Sequence, residues 1–169
     1  LKLMLTRGTG PRGYAPPADP DVTVILLADP SEGLPANRIS VVTLEQRVGE
    51  NEKLAGIKHL NRLEQVLGRL ELRGLDADEG LMLTASGNVI GGTSRNLFVV
   101  TGDRVTTPVV ARAGIAGVMR RAVIAACAAD GKGIPVFFGH KGRSQCARHE
   151  RHAHLCLNFL TEFSIQAHI

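Results

Sequence analysis

Apolar and polar residues follow each other along this chain in short runs that predict many strands. Residues 1–6 alternate between the two classes and predict a first strand. The apolar runs at 21–28 and 38–45 predict two buried strands. Later runs predict two hairpins, one formed by residues 79–84 and 88–90 and the other by residues 96–100 and 104–108. A last strand is predicted at residues 134–138.

Two stretches have helical spacing instead. Residues 59–73 predict an amphipathic helix that ends before Gly74, with an apolar stripe formed by Leu60, Leu63, Leu67 and Leu70. Residues 117–129 predict a second helix. Strands outnumber helices and the hairpins are adjacent, so the fold class is predicted to be α+β, not alternating βαβ units.

Composition narrows the class of protein. The 169 residues are 44% hydrophobic and 21% charged, which is typical of one soluble globular domain, and no apolar run is long enough to span a membrane. The net charge of +4 is scattered and only six residues are aromatic, which predicts no nucleic-acid partner. Three cysteines make no disulfide framework, so we expect a cytoplasmic protein. The chain starts in a strand pattern without an initiator methionine, which predicts a fragment.

Lys58 is the residue with the clearest chemical potential. It follows the bend at Ala55–Gly56 and comes just before the first predicted helix, so a short connection holds it. An amine that is partly desolvated and held in place can attack a carbonyl in Schiff-base chemistry. A surface lysine in a loop is the alternative interpretation of this spacing.

Two glycine-containing segments are candidate anion sites. Residues 8–13 match G-x-G-x-x-G, but Tyr14 and the two prolines after it cannot open the helix that a dinucleotide site needs. Arg7, beside that loop, and Arg12, within it, remain candidates for an anionic ligand. Residues 114–119 precede the second helix, whose first amides and dipole favour an anion.

The last thirty-one residues differ in kind from the rest. They contain a Cys/His series whose spacing matches no zinc finger, formed by Cys146, His149, His152, His154 and Cys156. We therefore predict no metal site, and interpret residues 139–169 as a divergent or frame-altered tail.

Four segments together resemble one family of enzymes. They are 54–67, which contains Lys58, and 6–14, 87–108 and 113–124. In the same order along the chain, these resemble segments of the aminodeoxychorismate lyases. Those are fold-type IV enzymes that use pyridoxal 5′-phosphate (PLP), related to branched-chain and D-amino-acid aminotransferases. The resemblance covers about residues 1–138, and segment 54–67 is its most specific part.

The resemblance implies a fold and a set of roles. Residues 1–138 would form an incomplete PLP-binding domain, the large C-terminal domain of such an enzyme, with a mixed sheet or pseudo-barrel and flanking helices. The smaller N-terminal domain, with a phosphate-binding arginine and one wall of the site, would be missing. Lys58 would bind PLP covalently. The resemblance implies further contacts: the amides of Val118 and Met119 for the phosphate, Gly92, Thr93, Ser94 and Asn96 around the cofactor, and Arg12 and Tyr14 for a substrate carboxylate.

One position departs from the family. Relatives have an acidic residue that contacts the pyridine nitrogen of PLP, and the matching residue here is Gly91. Thr93, Ser94 and Asn96 could also serve only to stabilise a tight connection. The implied activity converts 4-amino-4-deoxychorismate to 4-aminobenzoate and pyruvate, by a homodimer when full length. The alternatives are an aminotransferase of branched-chain or D-amino acids and a catalytically inactive fragment.

Overall fold

The computed structural model describes residues 1–30, 39–101, 104–129, 131, 136–137, 139–140, 153–158 and 164–167. The side chains after residue 131 are outside this description. The elements are β1 Lys2–Thr6, β2 Thr23–Leu27, β3 Val41–Val48, α1 Leu63–Leu72, β4 Glu79–Thr84, β5 Asn88–Gly92, β6 Asn96–Thr101, β7 Arg104–Pro108, α2 Val118–Ala129, β8 Val136–Phe137, β9 Gly139–His140, β10 Ala153–Asn158 and β11 Ser164–Ala167.

Three mixed sheets form the framework, with strand orders β11-β1-β2, β3-β4-β5-β9 and β10-β6-β7-β8. β3 pairs with β4 in parallel, whereas β4–β5 and β6–β7 are antiparallel. These sheets and the two helices confirm the predicted α+β class. The hairpin of β4 and β5 is also confirmed, and its turn contains Gly87 at a φ of 83°.

The hydrophobic core lies between α1 and the sheet of β3, β4 and β5. Its buried residues are Leu44, Val48, Leu72, Met82, Ile90 and Ala113. α1 approaches the sheet closely at Gly68, where a β-carbon would lie 3.1 Å from Leu44 and 3.2 Å from Met82. Burying a large aliphatic side chain contributes about 1.5–3 kcal/mol, so this cluster carries much of the stability of the domain.

The prediction for the first helix is wrong in its start and in its buried face. α1 begins at Leu63, not at residue 59, and buries Gly68 and Leu72. The stripe residues Leu63, Leu67 and Leu70 are 63%, 42% and 50% exposed. The helix is fastened to β3 by carboxylates instead: Glu71 accepts from the amides of residues 45 and 46, and Glu64 accepts from the amide of residue 49.

The prediction of a buried strand at 21–28 is also wrong. β2 forms there, but all five of its residues are exposed. It is an edge strand that pairs only with β1 among the described elements, so neither face of its apolar sequence is covered.

The second helix is confirmed within one residue, since α2 begins at Val118. Among the described residues, no helix is long and apolar enough to cross a membrane. The predicted tail contributes three strand segments, of which β10 pairs with β6 and β11 pairs with β1. The zinc alternative falls outside the described residues, apart from the backbone of His154 and Cys156. The boundary at residue 138 stays a prediction.

Candidate active site

Lys58 lies in an irregular connection between a tight turn and α1. Residues 54 and 55 both donate to the carbonyl of Asn51, and the amide of Ile57 donates to the carbonyl of Leu54. Gly56 then turns the chain at a φ of 81°, a conformation that favours glycine. The Lys58 side chain is half-buried, so its predicted position on a short, fixed connection matches the structure.

The surroundings of Lys58 disfavour a charged amine. Burial lowers the pKa of Lys58, and the positive charges of Arg62 and Lys2 lower it further. Each cause makes the protonated form less favourable, so a larger fraction of the amine is neutral near physiological pH. A neutral amine is the form that attacks a carbonyl carbon. Lys2 is on β1, so this strand lies next to the site.

A short backbone ladder joins the Lys58 segment to the start of α2. The amide of Gly56 donates to the carbonyl of Gly114 at 3.0 Å, and the amide of Ala116 donates to the carbonyl of Gly56 at 3.0 Å. This pairing brings together two candidate sites that are about sixty residues apart in the sequence. Lys58 is two residues from the ladder on one side, and Val118 is two residues from it on the other.

The start of α2 is open to a ligand. Val118 and Met119 are 59% and 38% exposed. The first amides of a helix have no acceptor within the helix, and together with the helix dipole they favour an anion. A phosphate group at this helix start is therefore consistent with the exposure of both residues.

Asn96 shapes the segment that leads into α2. Its Nδ2 donates to the carbonyl of Ile115 at 2.8 Å. Its Oδ1 lies where a β-carbon on Gly117 would be, at 2.2 Å, so only glycine fits at 117 without displacing Asn96. The predicted contact of Asn96 with a cofactor is untested, but its carboxamide already fixes the helix start.

The turn after β5 is organised by a buried carboxylate that the sequence did not single out. Glu79 is fully buried, and its Oε1 accepts from the amide of Thr93 at 3.0 Å and the hydroxyl of Thr93 at 2.5 Å. Its Oε2 pairs with Arg95 at 2.9 Å and accepts a longer bond of 3.5 Å from Ser94. The polar side chains of Thr93 and Ser94 thus contact Glu79, and Gly92 packs against the same carboxylate.

Gly91 has a backbone conformation that does not suit a carboxylate side chain. Its φ is 149°, and a β-carbon there would lie 2.7 Å from the carbonyl oxygen of Arg95. The departure from the family pattern at Gly91 is therefore accompanied by a backbone that disfavours a side chain at this position. Glutamate would strain the turn unless the backbone from 91 to 95 changed.

The structure does not bring Arg12 and Tyr14 into contact with the other candidates. Both are exposed, and Tyr14 is wholly so. Their loop contains no helix, which agrees with the exclusion of a dinucleotide site. Their role toward a substrate stays a prediction.

A cleft of about 330 Å³ lies beside the Lys58 segment but does not include Lys58. It is lined by residues 48–51, by Ala55 and His59 of the segment, by the exposed leucines at the start of α1, and by residues 112–114. Ala55 and His59 line the cleft and Lys58 does not, so the cleft and the Lys58 amine are on different sides of this segment. The lining of the cleft includes the imidazole of His59 and the carboxylates of Glu50 and Glu64, but not the amine of Lys58.

Sequence reasoning missed three residues around this site: Lys2, Arg62 and Glu79. Lys2 and Arg62 are charged neighbours of Lys58 that only the tertiary structure reveals. One signal was available for Arg62, since an arginine precedes the first turn of α1, where a polar cap such as serine or aspartate is usual. Glu79 is followed by the apolar residues of β4, and no pattern showed that its charge is buried.

The chain belongs to the amino-transferase class IV family, whose model matches residues 1–136. Enzymes of this family have fold type IV and use PLP. The match ends close to the predicted boundary at 138. It confirms the family relationship that the four sequence segments indicated.

Known lyases are among the similar proteins. The chain is 36% identical over 140 residues to aminodeoxychorismate lyase of Vibrio harveyi, covering 80% of this chain and 52% of that protein. The crystal structure of 4-amino-4-deoxychorismate lyase from Pseudomonas aeruginosa matches with a TM-score of 0.74 and 36% identity, over 80% of this chain and 52% of the other. The chain thus spans about half the length of these relatives.

An aminotransferase has the same fold at lower identity. The branched-chain amino acid aminotransferase of Escherichia coli matches with a TM-score of 0.62 and 23% identity, over 76% of this chain and 45% of the other. At this identity the likeness shows the shared fold alone.

Replacing Gly91 tests the strain at that position. We expect Gly91→Glu to lower the free energy of unfolding by about 1–3 kcal/mol, because the side chain needs both an unfavourable φ and a displaced Arg95 carbonyl. Urea denaturation measures the change. The control is Gly13→Glu, since Gly13 also has a positive φ, of 101°, but has no atom within 4 Å of a β-carbon. Equal losses in both variants would contradict the steric part of this account.

Removing the Lys58 amine tests the electrostatic cost of burying it. The pKa of Lys58 is lower in the folded chain than in the unfolded chain, so the unfolded chain binds the proton more tightly. The free energy of unfolding therefore rises with pH between these two pKa values. We therefore expect Lys58→Met to be more stable than the wild type near pH 7. This gain should shrink as the pH is raised toward 10.5, the ordinary pKa of a lysine side chain.

The matched control for that measurement is Lys53→Met, which removes the same charge from an exposed position five residues away. Thermal and urea unfolding of all three proteins across this pH range give the comparison. If Lys58→Met and Lys53→Met change the free energy of unfolding by the same amount at every pH, burial of the Lys58 amine has no cost.

Proposed function

We propose that this chain carries the greater part of the active site of a PLP-dependent lyase that converts 4-amino-4-deoxychorismate to 4-aminobenzoate and pyruvate. The observation that carries the proposal is the backbone ladder that places Lys58 beside the start of α2. PLP carries its aldehyde and its phosphate-bearing arm on adjacent ring carbons, so it requires an amine that reacts with an aldehyde and, close beside it, a site such as a helix start that favours an anion. The 36% identity to lyases supports the choice of reaction.

The residues of this chain fit the aldehyde and phosphate ends of PLP. Lys58, with its lowered pKa, would hold the cofactor covalently, and the amides of Val118 and Met119 would bind its phosphate. Gly92, Thr93, Ser94 and Asn96 would border the ring, while Arg12 and Tyr14 would bind a substrate carboxylate. Bound PLP supplies an electron sink for the carbon next to the substrate amine. Once the substrate amine has replaced it, the free amine of Lys58 would take the proton from that carbon. It would then give a proton to the methylene carbon of the enolpyruvyl group, which leaves as pyruvate when its C–O bond to the ring breaks.

The third end of the cofactor, the pyridine nitrogen, fits less well. Gly91 offers no carboxylate, and Glu79, the buried acid nearest along the hairpin, is already paired with Arg95 and bonded to Thr93. This gap favours a second candidate, a chain that binds PLP but turns over slowly or not at all. The other half of the relatives' length would contribute the rest of the site in a cytoplasmic homodimer.

Chemical trapping tests the covalent bond to Lys58. We expect the purified chain to form a visible-absorbing adduct with PLP and borohydride to fix the cofactor on Lys58, as peptide mass spectrometry would show. The control is Lys58→Met, which should lose both the absorbance and the label. A label found mainly on another lysine, in the wild type as in the variant, would contradict the assignment.

Removing one amide tests the phosphate site at α2. Proline is tolerated in the first turn of a helix, so Val118→Pro should keep the fold while deleting one hydrogen-bond donor. A charge-assisted hydrogen bond contributes about 1.5 kcal/mol or more, so the affinity for PLP should fall about tenfold. Val118→Ala, which keeps the amide, is the control, and fluorescence titration measures both. Equal affinities would rule out this site.

A further inference from the structure

Arg62 is at a position that the rules for helices do not favour. It is the N-cap residue of α1, and its side chain makes no capping hydrogen bond to the helix. Serine, threonine, aspartate or asparagine at this place would satisfy a free amide of the first turn. A positive charge at a helix start is also opposed by the helix dipole. A residue that breaks local preferences in this way usually has another role.

The guanidinium group turns back to the Lys58 segment instead. Its Nη2 donates to the carbonyl of Ile57 at 2.7 Å, and its Nε donates to the carbonyl of His59 at 3.0 Å. The first carbonyl belongs to the peptide that enters Lys58, and the second lies one residue beyond it. One planar, rigid group thus holds the backbone on both sides of the lysine.

These bonds act where the chain has no regular structure. Lys58 and its neighbours lie between the ladder at Gly56 and the first turn of α1, outside any helix or strand. Arg62 is half-buried, so its bonds to the two carbonyls are better shielded from water than surface bonds are. Its charge also contributes to the lowered pKa of Lys58.

We propose that Arg62 is the positioning residue of Lys58, and that it fixes the amine for covalent chemistry by clamping the carbonyls of Ile57 and His59. The role rests on the proposed function, because it concerns the same amine. Arg62 itself need not touch the cofactor or the substrate. The neutral amine of Lys58 forms the bond to the aldehyde carbon of PLP, and the aldehyde oxygen leaves as water with the two amine protons. Arg62 keeps its own proton throughout.

The test measures the reactivity of Lys58 in the full chain without PLP. Acetic anhydride labels neutral amines, and peptide mass spectrometry gives the labelling of Lys58 relative to the exposed Lys53 at each pH. The variants are Arg62→Met, which removes the clamp and the charge, and Arg62→Lys, which keeps the charge but not the planar pair of donors. Arg69→Met removes the same charge from an exposed position of α1 and is the control.

In Arg62→Met we expect the pH profile of Lys58 labelling to move to higher pH, while the profile in Arg69→Met stays as in the wild type. Arg62→Lys should keep the wild-type profile. In both Arg62 variants, borohydride trapping of PLP on Lys58 should be about tenfold slower, since a charge-assisted clamp is lost. If circular dichroism shows that Arg62→Met is unfolded, the trapping rate of Arg62→Lys decides the question.

The experiment distinguishes failure of the positioning role of Arg62 from failure of the proposed function. Wild-type pH profiles and trapping rates in both Arg62 variants would overturn the positioning role and leave the proposed function intact. Absence of PLP trapping on Lys58 in the wild type would overturn the proposed function. The acetylation profiles would still show whether Arg62 controls the amine.

Discussion

The candidate site depends on two backbone hydrogen bonds between Gly56 and the segment at residues 114–116. Together with the bond from the amide of Asn51 to the carbonyl of Arg112, they join the segment that contains Lys58 to the segment that leads into α2. Both sides of this ladder contain a glycine with positive φ, Gly56 at 81° and Gly114 at 86°. Such conformations strain any other residue, so the join is specified by glycine at two places far apart in the sequence.

An ion pair with a buried carboxylate stabilises the turn that follows β5. Glu79 and Arg95 meet at 2.9 Å, with the carboxylate fully buried. Removing Arg95 would leave the fully buried carboxylate without this opposite charge, and an uncompensated charge costs several kcal/mol in a protein interior. The pair therefore holds the turn from Gly92 to Arg95 in one conformation. The polar residues of that turn were candidates for the cofactor, and the structure shows what keeps them in place.

Sequence patterns predicted the class of fold and the hairpins because these depend on local alternation and turn residues. They failed for α1 because periodicity shows that a helix is amphipathic but not which face the rest of the protein covers. The carboxylate of Glu71 binds amides of β3, that of Glu64 binds the amide just after β3, and Gly68 allows the helix to approach the core closely. Those contacts override the leucine stripe. Lys58 itself was predicted from its flanking bend and from family resemblance, whereas Lys2 and Arg62 are neighbours only in three dimensions.

The depressed basicity of Lys58 has a thermodynamic consequence for ligand binding. The folded chain keeps an amine partly out of water and close to two other cations, which is an electrostatic cost. A ligand that bonds to this nitrogen in its neutral form removes that cost, and a ligand that is also anionic compensates the remaining positive charge. A bound ligand would then raise the free energy of unfolding by more than its new contacts alone contribute, because binding and folding are linked. The same linkage makes the release or uptake of a proton part of the binding reaction, so the burial of Lys58 and, after it, the charges of Arg62 and Lys2 set how strongly occupancy depends on pH.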